Sequence, residues 1–309
     1  MKEEKDIRLD IVRVEGDAAP FVEVYYLDRD VQERTGLLLL DSGSTINFLS
    51  AEMLDNISES SKLNCEEKNI CTIGTNSFKA DSVRFSFALG GKLFSETFCI
   101  SKHKLPIEVK GEKVIGLIGN RFMLKHKLAI DFSDFTLYTS KVNPKILSIS
   151  DCSFFFPMDI GLKHYSLPVL AIRQKAKELV TMVDTGSASN MISEQALSEY
   201  KFNCSHTDVK DLVACIDAQF SVGQAFVRFS LLTLKEECVS KITRYDYFNV
   251  LSTYIDSTEK KECDEYGNRL PSIEALLGAQ FLAKERWILD FGARIIYKRK
   301  RTDRLGTAV

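Results

Sequence analysis

Two short acidic motifs stand at corresponding places in the 309-residue chain. Asp41-Ser42-Gly43-Ser44 and Asp184-Thr185-Gly186-Ser187 each follow an apolar run, and their aspartates are 143 positions apart. Two carboxyl groups that share one site cannot both ionise cheaply, so one keeps its proton while the other stays charged. Such a pair supplies a general acid and a general base, which together activate water for attack on an amide carbonyl.

Each motif taken alone also fits a simpler interpretation, because Asp, Ser, Thr and Gly are common turn formers at the end of a strand. The repetition favours chemistry, since equivalent residues of two units related by a two-fold axis meet near that axis. We therefore predict that Asp41 and Asp184 form a catalytic pair. The glycines would let the backbone approach the carboxyl groups and the hydroxyls would hold the loops in place; these supporting residues are Ser42, Gly43, Ser44, Thr185, Gly186 and Ser187.

Three ordered blocks of sequence occur twice. Residues 37–50 match 180–193 at an offset of 143, residues 83–86 match 227–230 at an offset of 144, and residues 117–123 match 276–282 at an offset of 159. An internal repeat of this length indicates two copies of one structural unit. We predict an N-terminal lobe of residues 1–148 and a C-terminal lobe of residues 149–309, the latter with an insertion at about 236–272.

Within each unit the pattern predicts short strands and little helix. Aromatic and β-branched segments with partial alternation are expected as strands at 21–26, 82–88 and 226–231. Continuous apolar runs at 37–40 and 179–183 are typical of strands buried on both faces. Short helices are expected at 51–57 and 194–200, after the possible N-caps Ser50 and Ser193, and at 120–126 and 279–284.

The chain resembles the aspartic peptidases of the retropepsin and pepsin group. The resemblance rests on the two Asp-Ser/Thr-Gly-Ser motifs and on the downstream elements Leu117-Ile118-Gly119 and Leu276-Leu277-Gly278. It implies an all-β, bilobal acid-protease fold of two β-barrel-like lobes related by a pseudo-two-fold axis, each with one or two short helices. The pattern is similar to two retropepsin-like units fused in tandem, with the active site in the cleft between the lobes.

The same resemblance assigns roles around the pair. It implies that Ser42 and Thr185 cross-link the floor of the cleft, and that the Ser44 and Ser187 hydroxyls hydrogen-bond the outer carboxylate oxygens. The substrate should be covered by a flap at Ile73, Gly74, Thr75 and Asn76, although this turn lacks the tyrosine that pepsins carry there. The corresponding part of the second half, near 217–221, is less turn-like.

Composition restricts the partners. Forty-one Lys and Arg against 43 Asp and Glu give a net charge of −2, which argues against nucleic acid as a partner. No apolar run approaches the ~18 residues of a membrane span, and the charged N-terminal residues contain no signal-peptide core. We expect a cytoplasmic monomer that contacts no membrane. Eight cysteines without a CxxC pair and four scattered histidines predict neither a metal site nor a cofactor.

The function predicted from these residues is an aspartic endopeptidase that hydrolyses a polypeptide held between the lobes. Hydrogen bonds from Ser44 and Ser187 to the carboxylates would favour their charged form, so activity should peak below neutrality. Replacing both serines by alanine should then move the optimum upward. The alternative is a catalytically silent two-lobed module that binds a peptide or protein in the same cleft.

Overall fold

The computed structural model describes residues 8–14, 16–57, 68–71, 77–100, 108–139, 167–174, 177–214, 219–235, 238–252 and 273–298. The strands before residue 140 are β1 Arg8–Asp10, β2 Phe21–Leu27, β3 Glu33–Asp41, β4 Asn47–Leu49, β5 Lys68–Cys71, β6 Ser77–Ala80, β7 Ser82–Leu89, β8 Lys92–Ile100, β9 Glu108–Val109, β10 Glu112–Gly119, β11 Leu128–Asp131 and β12 Thr136–Thr139. Those that follow are β13 Val169–Gln174, β14 Lys177–Asp184, β15 Asn190–Ser193, β16 Asn203–Ala214, β17 Gln219–Lys235, β18 Cys238–Leu251, β19 Ala275–Gly278, β20 Trp287–Asp290 and β21 Ile295–Lys298.

Helices are short and few in the described ranges: a 3-10 helix at Ala51–Asp55, α1 at Asn120–Lys125, α2 at Glu194–Glu199 and α3 at Ala279–Glu285. The predicted N-cap Ser193 accepts a hydrogen bond from the Ala196 amide at 3.0 Å, which satisfies one free donor at the start of α2. Ser50 makes no such bond, and a 3-10 helix follows it instead of an α-helix. No helix in the described part of the chain combines the length and apolarity that a membrane crossing requires.

Two large sheets form the two lobes. Among the described strands, the N-terminal sheet has the order β3-β2-β7-β8-β4-β10-β9, and β10 also pairs with β3. The C-terminal sheet has the order β13-β14-β19-β15-β18-β17-β16, and β13 also pairs with β17. These additional pairings curl each sheet toward a barrel around its own apolar core, and β5 and β6 form a separate hairpin. The predicted all-β, bilobal fold is confirmed.

The strands that lead to the two acidic motifs are buried on both faces. Neighbouring positions, whose side chains point to opposite faces, are both buried: Leu37 and Leu38 in β3 are 1% and 0% exposed, and Met182 and Val183 in β14 are 4% and 0% exposed. β3 pairs in parallel with β10, and β14 pairs in parallel with β19. Each motif therefore begins at the end of a central strand that is held on a rigid framework.

A third sheet joins the lobes. Its strand order is β1-β12-β11-β20-β21, so β11 of the N-terminal lobe pairs with β20 of the C-terminal lobe. Two reciprocal bonds close this junction: the Phe132 amide donates to the Trp287 carbonyl, and the Phe291 amide donates to the Leu128 carbonyl, both at 2.9 Å. The lobes are thus connected by main-chain hydrogen bonds as well as by side-chain packing.

The two lobes repeat the same packing, although one predicted match is out of register. Phe87 packs on Phe122 of α1 at 5.9 Å, and Phe229 packs on Phe281 of α3 at 5.8 Å. Phe87 and Phe229 are therefore equivalent, at an offset of 142 rather than the 144 of the match between 83–86 and 227–230. The prediction was wrong by two residues, and because side chains alternate with a period of two, the error keeps every residue on its correct face.

The expected insertion at 236–272 is divided between two places. Asn47 pairs with Phe98 and Asn190 pairs with Phe248, so Phe98 and Phe248 are equivalent. The offset between equivalent residues is therefore 150 at β8 and β18, compared with 142 at β7 and β17. It reaches 159 at the starts of α1 and α3. The first eight extra residues lengthen the β17–β18 hairpin, whose strands have 17 and 14 residues against 8 and 9 in β7 and β8. The remainder falls between β18 and β19.

Candidate active site

The structure brings Asp41 and Asp184 together at the contact between the lobes. A Cβ atom added to Gly43 would lie 2.5 Å from the Asp184 Cγ, and one added to Gly186 would lie 2.5 Å from the Asp41 Cγ. The two carboxyl groups lie close enough that the charge of Asp184 raises the pKa of Asp41. Each glycine thus lets its loop lie directly against the opposite carboxyl group, so both acids occupy one site.

Main-chain amides fix the orientation of each carboxyl group. The Gly43 and Ser44 amides donate to Asp41 Oδ1 at 2.9 and 3.1 Å. In the other lobe, the Gly186 and Ser187 amides donate to Asp184 Oδ1 at 2.9 and 3.2 Å. Both loops therefore hold their aspartate in the same way, with one carboxylate oxygen bound by two amides.

The hydroxyls of Ser44 and Ser187 do not serve the carboxylates, contrary to the expectation from the resemblance. Ser44 Oγ donates to the Ile46 carbonyl at 2.8 Å, and Ser187 Oγ donates to the Ser189 carbonyl at 2.8 Å. A hydroxyl has a single proton, so neither group can also donate to a carboxylate. The hydroxyls stabilise the loop backbone, and the bonds to the aspartates come from the amides of the same two residues.

Ser42 and Thr185 connect the lobes beneath the two aspartates. Ser42 Oγ donates to the Val183 carbonyl at 2.7 Å and accepts from the Thr185 amide at 2.9 Å. Reciprocally, Thr185 Oγ1 donates to the Leu40 carbonyl at 2.5 Å and accepts from the Ser42 amide at 2.9 Å. Both side chains are 0% exposed, so these four bonds fix the relative position of the strands that carry the acids.

Two asparagines to which the sequence assigned no role anchor the far end of each loop. Asn47 Oδ1 accepts from the Gly119 amide at 2.9 Å, and Asn190 Oδ1 accepts from the Gly278 amide at 3.0 Å. Their side-chain amides donate to the carbonyls of Thr97 and Tyr247. The signal was available in the sequence, since Asn stands six residues after the aspartate in both motifs.

Gly119 and Gly278 lie opposite the two aspartates in the parallel pairings, Asp41 with Gly119 and Asp184 with Gly278. A Cβ on Gly119 would lie 2.3 Å from the Ile46 carbonyl oxygen, which is main chain and has no free rotation to move aside. The apolar-apolar-Gly elements therefore pack directly beside the acidic loops, and only glycine fits there.

Burial raises the pKa of both carboxyl groups. The pKa of Asp41 is raised well above its ordinary value, first by burial and then by the charge of Asp184. Burial also raises the pKa of Asp184, while the Gly186 amide and the hydrogen bond with Asp41 act in the opposite direction. The pair therefore keeps a proton at a pH at which an isolated aspartate would have lost it, and the two carboxyl groups titrate together.

Two further predictions concern residues other than this pair. The predicted flap at Ile73, Gly74, Thr75 and Asn76 is outside the described residues. Within the described ranges, no group of three or more His, Cys, Asp and Glu side chains is arranged to hold a metal ion. The site defined by the described residues consists of the two acids and the loops that hold them.

The fold defined by these lobes is that of the bilobal aspartic proteinases. Among solved structures, the chain is similar to the aspartic proteinase from Irpex lacteus, with a TM-score of 0.55 and 13% sequence identity. The similarity covers 96% of this chain and 98% of that one. No family model and no curated protein matches the sequence. A likeness at this level of identity shows the fold alone.

Proposed function

We propose that the protein is an aspartic endopeptidase that hydrolyses peptide bonds with a water molecule activated between Asp41 and Asp184. The observation that carries the proposal is that two carboxyl groups from equivalent loops of the two lobes lie together in one site. The Cβ positions of Gly43 and Gly186, each 2.5 Å from the opposite Cγ, support this pairing. A structural role for either acid alone would not require the second one beside it.

The reaction follows from the single proton that Asp41 and Asp184 share. The charged carboxylate of the pair accepts a proton from the water while the oxygen of that water attacks the substrate carbonyl carbon. The protonated carboxyl group of the pair gives its proton to the carbonyl oxygen, which produces a neutral tetrahedral intermediate. The carboxyl group that took the proton from water then gives it to the amide nitrogen, and the other carboxylate takes a proton from a hydroxyl of the intermediate. The C–N bond breaks, an amine and a carboxylic acid are released, and the pair again holds one proton. Two carboxyl groups suffice for these steps, so the mechanism requires no cofactor or metal.

The proposed substrate is a polypeptide that lies between the lobes of a monomeric enzyme. Each lobe, residues 1–148 or 149–309, contributes one acid, so neither lobe is expected to hydrolyse peptides alone. The mutual bonds of Ser42 and Thr185 support this view, because the floor beneath the pair is completed from both lobes.

The test replaces each acid separately by its isosteric amide, Asp41→Asn and Asp184→Asn. Wild-type protein is incubated with a peptide library between about pH 3 and pH 7, and new termini are identified by mass spectrometry. Cleavage should disappear in both variants and persist in the matched control Asp55→Asn, which alters an exposed aspartate of the same lobe. Cleavage that persists in Asp41→Asn would rule out the mechanism.

The silent binding module predicts a different result in the same experiment. In that case the wild-type protein binds a statine-type transition-state mimic or library peptides, and no new termini form at any pH. If the folded wild-type protein binds these ligands and forms no products, its function is peptide binding and not hydrolysis.

A further inference from the structure

Three aromatic side chains are exposed on the outer face of the C-terminal sheet. Phe226 is 37% exposed, Tyr245 49% and Tyr247 51%. Phe226 pairs across the strands with Tyr247, and Arg228 pairs with Tyr245. The Phe226 ring lies 4.9 Å from that of Tyr247 and 6.1 Å from that of Tyr245. We call these four residues, Phe226, Arg228, Tyr245 and Tyr247, the aromatic patch.

The N-terminal lobe provides an internal control for this surface. At offsets of 142 on β7 and 150 on β8, the positions that correspond to the aromatic patch are Arg84, Ser86, Ser95 and Thr97. All four are exposed, and Ser86 Oγ bonds to Ser95 Oγ at 3.0 Å. The same face of the same strands thus carries no aromatic residue at these positions in the N-terminal lobe, so the fold does not require aromatic groups there.

Protein-binding hot spots commonly combine aromatic side chains with an arginine. Tyr and Arg are enriched among the residues that dominate binding energy, since each buries a large area and keeps a polar group for hydrogen bonds. Contiguous exposed apolar surface is uncommon on proteins that have no partner for it. The aromatic patch therefore has the character of an interaction surface rather than of a solvated sheet face.

The positive charge of the aromatic patch indicates an acidic partner. The two cross-strand rows continue onto β16 as Asn203 opposite Arg228 and Ser205 opposite Phe226, so the rows contain one cation and no carboxylate. The Arg228 guanidinium lies 5.6 Å from the centre of the Tyr245 ring and forms no ion pair with a described residue. This orientation leaves its planar donors available to a carboxylate from outside.

We propose that the aromatic patch binds an acidic, extended segment of a partner polypeptide. A Glu or Asp side chain of the partner bonds to Arg228, and an apolar side chain lies against the rings of Phe226 and Tyr247. The exposed tyrosine hydroxyls donate to main-chain carbonyls of the segment. This interaction is independent of peptide hydrolysis and uses none of the residues of the acidic pair.

Two other occupants fit the surface less well. A second copy of this chain, packed face to face through a two-fold axis, would place two copies of Arg228 in one interface with no carboxylate in the rows to neutralise them. A single-stranded nucleic acid needs several cations along its backbone, and the patch supplies one. The rings also pack on one another, which covers part of the faces on which bases would stack.

The experiment measures binding of a fluorescently labelled short peptide of alternating Glu and Leu to the full chain by fluorescence anisotropy. It is done in the Asp41→Asn background, so that the proposed hydrolysis cannot consume the probe. Three variants are compared: Arg228→Ser, the pair Tyr245→Ser with Tyr247→Thr, and the control Arg84→Ser on the equivalent face of the other lobe. The first two install the residues that the N-terminal lobe carries at these positions.

We expect Arg228→Ser and the double tyrosine variant each to weaken binding about tenfold or more, as at other hot spots. Arg84→Ser should leave the affinity unchanged, and a Lys-Leu peptide of equal length should bind at least about tenfold more weakly than the Glu-Leu peptide. Equal binding of the two peptides, or an equal effect of Arg84→Ser and Arg228→Ser, would overturn the proposal. So would competition by short oligothymidylate, or a wild-type dimer in sedimentation that the tyrosine variant dissociates.

Discussion

Replacing Gly43 by alanine places a methyl group against the carboxyl group of the other lobe. The added Cβ would lie 2.5 Å from the Asp184 Cγ and 2.6 Å from each of its oxygens. Carbon atoms in ordinary contact are about 3.5 Å apart, so the methyl and the carboxyl group have to separate by about 1 Å. Asp184 is 6% exposed and accepts two amide bonds, so the movement changes the spacing of the acids.

A misplacement of about 1 Å in catalytic groups lowers the rate by about 100-fold, which corresponds to about 2.7 kcal/mol in the activation free energy. We therefore expect Gly43→Ala to lower kcat/KM by about this factor on a peptide that the wild-type protein cleaves. The melting temperature should change little, because the atoms that the methyl group meets belong to a side chain. Gly223→Ala is the matched control, since a Cβ there meets nothing within 4 Å.

Wild-type kcat/KM in Gly43→Ala, at an unchanged melting temperature, would refute the reasoning that the two acids act together at this spacing. Gly186→Ala repeats the experiment from the other side, because its Cβ would lie 2.5 Å from the Asp41 Cγ. The two variants should show similar losses. A loss in one variant alone would assign the chemistry to a single acid.

Three further results are expected. Gly119→Ala should reduce the yield of folded protein and the free energy of unfolding, because its Cβ would lie 2.3 Å from the main-chain Ile46 oxygen; a stable, soluble variant would contradict this close approach. Ser42→Ala should cost about 2–4 kcal/mol in urea denaturation, since it leaves a buried carbonyl and a buried amide without partners, whereas Ser86→Ala at an exposed serine should cost under about 0.5 kcal/mol. Asp41→Asn should raise the melting temperature near pH 7 and not near pH 3. The Asp41 pKa is higher in the folded chain than in the unfolded one, so the stability it contributes is complete below about pH 4 and is lost as pH rises through the folded value. An equal melting temperature of the variant and the wild type near pH 7 would argue against the raised pKa.

The parts of the site that local sequence could predict are those in which a residue type is required by chemistry and occurs twice. The Asp-Ser/Thr-Gly-Ser motifs indicated the pair, and the structure brings Asp41 and Asp184 together. The predicted strand and helix positions were also close, since α1 begins at Asn120 and α3 at Ala279 as expected. Local patterns sufficed because the apolar residues and the capping residues that define each strand or helix lie within or next to that segment.

Features that depend on three-dimensional relations were missed. The direction of the Ser44 hydroxyl is set by the path of the backbone at Ile46, which the motif does not encode. Which residue of β7 corresponds to which residue of β17 could not be predicted from an alternating pattern, because a shift of two residues leaves the pattern unchanged. The aromatic residues of 226–231 predict a strand equally well whether they face the core or the solvent, so the aromatic patch was invisible in the sequence.

The strand that joins the lobes has a consequence for biosynthesis. β20 ends at Asp290 and pairs with β11, and β19, which supports Asp184, ends at Gly278. An N-terminal lobe that folds first on the ribosome therefore carries Asp41 with no second acid beside it. Such a half-site is a single carboxyl group without its acid–base partner. The peptide hydrolysis proposed for this site would thus be absent until most of the second lobe has left the ribosome, so the order of translation would protect the nascent chain from it.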